Sequence, residues 1–137
     1  MLGNKVIQGQ GKVTGTRVLR GDDYRYMKME FSFQESGTAL GTPYTNYGTY
    51  TIFERIPGQL YGEGQGILET ADGEGAIWTG AGIGHMTGEG LSVKFSAAVT
   101  FQAGDGKLKA LKDNLVIFEF SQDNEGNITV AGWEWKA

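Results

Sequence analysis

The chain has no cysteine, two prolines, one histidine and no long apolar run. Each absence removes a class of protein. Without cysteine there is no disulfide framework and no thiolate metal site, and His85 alone falls short of the several ligands a metal ion needs, so no metal is expected. No stretch approaches the ~20 apolar residues of a membrane helix, and no charged and apolar leader precedes Lys5-Val6-Ile7. The expectation is a cytoplasmic protein with no membrane contact. Its twelve Lys and Arg are scattered singly in a chain of net charge −4, which argues against a nucleic-acid partner, since phosphate affinity comes from clustered cations.

What the chain has in excess is glycine, 23 of 137 residues. These glycines alternate with apolar and aromatic residues instead of forming a low-complexity tract, so they belong to strands. The densest case runs from Gln59 to His85, which reads as one hairpin turning at Ala71-Asp72-Gly73. If Thr70 pairs with Glu74, positions summing to 144 face each other. One face then carries Tyr61, Glu63, Gln65, Ile67, Ile77, Thr79, Ala81 and Ile83. The other carries Gly62, Gly64, Gly66, Gly80, Gly82 and Gly84, with Leu60, Leu68, Ala76 and Trp78 among them.

The same period of two continues elsewhere. Lys5 to Thr16 alternates Ile7, Gly9, Gly11, Val13 and Gly15 with polar residues. After a turn at Arg20-Gly21-Asp22-Asp23, Arg25 to Glu35 sets Met27, Met29, Phe31 and Phe33 against Tyr26, Lys28, Glu30, Ser32 and Gln34. Gly37 to Tyr44 has no regular period and reads as the longest loop and a possible lid. Thr45 to Arg55 turns at Pro57-Gly58; with Ile56 opposite Gln59, Ile52 falls beside Glu63 and Tyr50 beside Gln65. Beyond Thr87-Gly88-Glu89-Gly90, the residues Leu91, Val93, Phe95, Ala97, Val99 and Phe101 share a face, placed next to Ile77 and Ile83. Lys107 to Asp113 reads as loop or frayed edge. Leu115 to Ser121 and Ile128 to Lys136 form a last hairpin about Asn124-Glu125-Gly126-Asn127, with Trp133 and Trp135 beside Phe118 and Val116.

About eight antiparallel strands joined in sequence by short turns make an all-β fold, residues 1–137 forming one domain: a closed eight-stranded meander barrel, wide enough for side chains or one small ligand. Avidin-like and lipocalin barrels are the alternatives in fold. With the odd-numbered face inward, the interior would bind a small apolar molecule through Tyr50, Tyr61, Glu63, Gln65, Thr79, Phe95 and Trp133. Glu63 is the best catalytic candidate, a carboxylate on an apolar wall that must be paired, hydrogen-bonded or protonated. It serves either a cofactor-free isomerase or cyclase, or ligand orientation, or a structural network, and a register slip of one would turn it to solvent. No cofactor is expected, because neither GEGQG nor GAGIG leads into a helix that could hold a phosphate. The bare face, Gly62, Gly64, Gly66, Trp78, Gly80 and Gly82, would let another subunit approach closely in a homo-oligomer, and a purely architectural role would rest on that contact.

Five segments carry a likeness: Phe33-Gln34-Glu35-Ser36-Gly37-Thr38, Gly48-Thr49-Tyr50, Tyr61-Gly62-Glu63-Gly64-Gln65-Gly66, Trp78-Thr79-Gly80-Ala81-Gly82-Ile83-Gly84 and Trp133-Glu134-Trp135-Lys136. Together they resemble a family of small bacterial proteins of unknown activity whose fold is similar to the calycin-type barrel of plant allene oxide cyclase. The resemblance implies a closed eight-strand meander, a homo-oligomer, and a hydrophobic cavity that works without a cofactor. In that family a Gln often stands where this chain has Ala81, and an Arg where it has His85.

Overall fold

The computed structural model of the chain describes residues 1–21, 27–88 and 90–136. Eight strands follow one another around a closed antiparallel barrel: β1 (Leu2–Arg20), β2 (Met27–Ala39), β3 (Thr42–Ile56), β4 (Gln59–Thr70), β5 (Gly75–Met86), β6 (Val93–Ala103), β7 (Val116–Gln122) and β8 (Asn127–Trp135). β8 returns to pair with β1 and closes the sheet. Asp22, Asp23, Arg25, Tyr26 and Glu89, assigned above to turns and a strand, lie outside the described residues. No helix among the described residues is long and apolar enough to cross a membrane.

Two of the turns are shorter than the sequence suggests. Instead of a lid, Gly37 to Tyr44 is the tight junction of β2 and β3: Ala39 pairs with Thr42 across a two-residue turn at Leu40 (φ 51°) and Gly41 (φ 77°). Both residues adopt the left-handed conformation that such a hairpin requires. Leu40 tolerates it while packing its side chain onto the core. The last hairpin closes on three residues, Asn124 to Gly126, with Asp123 N–H donating to the Asn127 carbonyl at 2.9 Å. Trp133 therefore pairs with Ile117, and Phe118 with Gly132.

Lys107 to Asp113 is not a frayed edge. It contains a single helical turn, α1 (Lys109–Asp113), that lays Leu108 and Leu111 across one end of the barrel, each 1% exposed. Both pack with Ile7, Tyr44, Leu68, Val99 and Phe101. A helix of five residues does not stand alone in water, so burial of these leucines is what holds it. Lys112–Asp105 (2.5 Å) and Lys107–Asp72 (2.6 Å) tie the connection down at the surface. The Lys107 ammonium and a hydrogen bond from Thr70 hold the Asp72 carboxyl down to about 2.

The register of the central hairpin is the expected one, with Leu60 opposite Gly84 and Glu63 opposite Ala81. Its facing is the reverse of the expected one. Leu68 and Thr70 are buried, whereas Glu63, Gln65, Ile67, Ile77, Thr79 and Ile83 are exposed. The inversion has a local cause on the β3 side. Ile56 does pair with Gln59, but a bulge at Arg55 makes the next pair Glu54 and Leu60, which sets Ile52 opposite Gly62 and Tyr50 opposite Gly64. One extra residue in the bulged strand moves every following side chain to the other face. On the β6 side the pairing Gly84–Phe95 and Trp78–Phe101 agrees with this facing, so Phe95 lies by the glycine rungs and not by Ile77 and Ile83.

The glycine rungs face inward because the lumen of an eight-strand barrel is small and large rings need empty places opposite them. A Cβ on Gly62 would meet the Phe95 ring at 2.9 Å, and one on Gly64 would meet Trp78 at 3.4 Å and Tyr50 Cβ at 3.1 Å. The glycines are thus sockets for aromatic rings of the interior, not an approach surface for another subunit.

Candidate functional site

Reversing the facing decides which predicted site residues meet. Tyr50 and Phe95 are inside, with ring centroids 6.4 Å apart, and both border the central cavity. Tyr50 also stacks on Phe31 at 5.2 Å and meets Phe120 edge-on at 5.0 Å. Its hydroxyl donates to Gln122 Oε1, and burial pushes its ionisation well above the ordinary tyrosine range. Tyr61, Glu63, Gln65 and Thr79 lie on the outer wall. Glu63 accepts a hydrogen bond from Tyr61 Oη at 2.9 Å on the exposed side, and its residue is among those bordering the cavity. Trp133 is also outside the lumen, with the Lys5 ammonium 5.4 Å above its ring. Trp78, Gly62, Gly64, Gly66, Gly80 and Gly82, expected at a subunit interface, belong to the interior.

The interior carboxyl is Glu35. It continues the alternation of β2 two residues past Phe33, so Phe31, Phe33 and Glu35 point the same way, and all three are buried. That spacing was the signal in the sequence; the polar identity of Glu35 and its place at the end of an assigned strand hid it. Strand β3 supplies the partners. Asn46 stands opposite Glu35, and Tyr44 two positions along the same face. Tyr44 Oη donates to Glu35 Oε2 at 2.7 Å, Asn46 Nδ2 donates to Oε1 at 2.9 Å, and Trp78 Nε1 donates to Asn46 Oδ1 at 2.8 Å. Glycine is needed beside this group: a Cβ on Gly9 would crowd the Tyr44 hydroxyl and come within 2.9 Å of Glu35 Oε2.

A carboxyl at 4% exposure with only neutral partners is costly to ionise. Burial pushes the Glu35 carboxyl above the usual glutamate value of 4.5, and the bonds from Tyr44 and Asn46 offset part of that rise. Tyr44 is pushed far above the ordinary phenol range, first by burial and then by the adjacent carboxyl.

This cluster forms the polar end of a cavity of about 90 Å³, whose remaining wall is mostly apolar and includes Phe33, Leu68, Phe95, Ala97, Phe118 and Phe120. An apolar cavity of ~150 Å³ holds benzene, so this one suits a molecule of a few heavy atoms. Leu108 and Leu111 close the barrel on the Tyr44 side. Every buried side-chain nitrogen and oxygen among the described residues has a partner.

An eight-stranded closed antiparallel barrel with an internal carboxyl-centred polar cluster is the class that fold and site define. No family model matches the chain, and no curated protein does. Solved structures do. A protein of unknown function from Clostridium acetobutylicum superposes with a TM-score of 0.80 at 13% identity over 96% of each chain. A conserved protein of unknown function from Rhodopseudomonas palustris gives 0.78 at 12% identity, over 98% of this chain and 99% of that one. A β-barrel-like protein from Acinetobacter baumannii gives 0.75 at 12%, over 97% and 96%. At these identities the likeness is one of fold, and the barrel is shared along its full length.

Proposed function

We propose that the protein binds a small, largely apolar molecule inside the barrel, with Glu35, Tyr44 and Asn46 orienting its one polar atom. The observation that carries this reading is a buried carboxyl placed at the edge of an apolar cavity that the surrounding rings leave unfilled. Ligand sites have this character: apolar walls with a few convergent polar groups and a perturbed acid. The resemblance to allene-oxide-cyclase-like barrels is in keeping with it, as a hydrophobic interior used without a cofactor. Isomerase chemistry at Glu63 is not part of the proposal, because Glu63 is in solvent; proton transfer inside the cavity would fall to Glu35.

The test is to fill the cavity from its wall. Ala97 lies on the inward face of β6 and borders the space, so Ala97→Leu adds its extra carbons there. In the wild type, titration with 1-propanol should shift the indole N–H signal of Trp78, which belongs to the same hydrogen-bond chain as Glu35. In Ala97→Leu the shift should disappear while the fold persists, overpacking costing no more than about 1–3 kcal/mol. A wild-type signal unmoved by the alcohol counts against the interior site.

A further inference from the structure

Among the described residues, the Glu35 cluster is a buried acid with no cation. The groups that face it are Tyr44 and Asn46 from β3, Gly9 from β1 and, through Asn46, Trp78 from β5; none carries positive charge. Toward the closed end the next side chains are Leu108 and Leu111. Tyr44 is the titratable neighbour, and Tyr50 lies farther along the same wall with its hydroxyl turned to Gln122. Buried carboxylates are ordinarily paired with a cation, and none of the described residues supplies one here.

Counting hydrogen-bond capacity gives the ligand's polarity. With Glu35 ionised, most donors of the cluster are spent inside it: the Tyr44 O–H and one of the two Asn46 N–H on Glu35, and the Trp78 N–H on Asn46. What remains is mainly acceptor capacity, on the two Glu35 oxygens, the Tyr44 oxygen and Asn46 Oδ1. A ligand of the ionised cluster must therefore donate. Beyond the carboxyl the wall offers the rings of Phe33, Tyr50, Trp78 and Phe95, whose faces attract cations.

Resting on the proposal of an interior site, we infer that its ligand is a small primary amine, bound as the ammonium ion with Glu35 as its counter-ion and its short carbon chain against the aromatic rings. Protons balance as follows. Where the free protein holds Glu35 protonated, binding of R–NH3+ forms the Glu35 carboxylate and ammonium pair and releases one proton to solvent. Amine affinity should therefore climb up to tenfold per pH unit below the Glu35 midpoint and level off above it. A neutral alcohol of the same length should bind with no such rise.

The experiment compares n-propylamine, 1-propanol and propionate with the wild-type protein from pH 5 to 9, reading the Trp78 indole N–H shift. Expected at pH 8 is amine at least tenfold tighter than alcohol and no binding of propionate, the preference shrinking as pH falls. In Glu35→Gln the amine should lose its advantage while the alcohol still binds. If 1-propanol binds and the amine is no tighter, or if amine affinity is flat with pH, the amine inference is overturned and the interior site stands. If none of the three binds, both fall. The comparison needs only the wild type, so a poorly folding Glu35 variant does not weaken it.

Discussion

Gly11→Ala is expected to cost about 3 kcal/mol or more of stability, the size of the severe end of single substitutions. Gly11 sits in β1 directly opposite Glu35, with Ile128 on its other side. A Cβ there would lie 2.5 Å from the Glu35 Cα and closer still to the Gln34 carbonyl oxygen. Those atoms are backbone on a paired strand, so relief requires moving β1 away from β2. The movement would also displace Glu35 from Tyr44 and Asn46. Gly15 is the control, four residues along the same strand, with open space where its Cβ would be and an ordinary φ. Gly15→Ala should fall within about 0.5 kcal/mol of wild type or gain slightly, because alanine restricts the unfolded chain. Urea unfolding of both variants measures the difference. Equal midpoints would show that the strands are not so close.

Leu111→Ala should destabilise by about 2–5 kcal/mol, the range for removing a fully buried leucine side chain. For a chain of 137 residues each kilocalorie moves the melting temperature by roughly 4 °C, so thermal melting resolves the loss easily. The effect is large because one turn of helix has no stability of its own, and its attachment rests on Leu108 and Leu111. Lys109→Ala, on the exposed side of the same turn, should be nearly silent. The surface pairs Lys112–Asp105 and Lys107–Asp72 are screened by salt, and raising ionic strength should not reproduce the loss. A silent Leu111→Ala would mean that the barrel end is closed by something else.

The architecture was legible because period-two alternation and turn residues survive in any register. Phe31 and Phe33 against Ser32 and Gln34 fixed β2, and Asp72-Gly73 fixed the central hairpin to the residue. Which side of that hairpin faces inward was not legible. One side offered Ile67, Ile77 and Ile83, the other Leu68, Trp78 and glycine, and apolar character alone favoured the first. In the folded chain that first side is an exposed wall, with Tyr47, Ile67 and Ile77 each about half exposed in neighbouring strands. The decisive feature was volume: Trp78 and Phe95 need the space that Gly48, Gly66, Gly62 and Gly84 leave. The bulge at Arg55 leaves no clear mark in the sequence, and it alone transfers Tyr50 from the Gln65 side to the Gly64 side.

The α1 turn escaped for a different reason. Leu108 and Leu111 are three apart, as on one helical face, but a single turn surrounded by lysines is too short to display a period. Glu35 escaped because a buried acid breaks the alternation that reveals a strand. It shares the inward parity of Phe31 and Phe33, and only the neighbouring Tyr44 and Asn46 make its burial tolerable.

A carboxyl raised by burial binds its proton more tightly in the folded chain than in the unfolded one. Its contribution to stability is therefore greatest in acid and declines as pH climbs from the unfolded value of 4.5 through the folded midpoint. That midpoint can be read at the residue itself, from the side-chain carboxyl carbon resonance of Glu35 in a ¹³C-labelled sample titrated across pH 3 to 9. Expected is a transition above 4.5, displaced upward by burial of the carboxyl. A transition at or below that value would contradict burial as the dominant influence on Glu35.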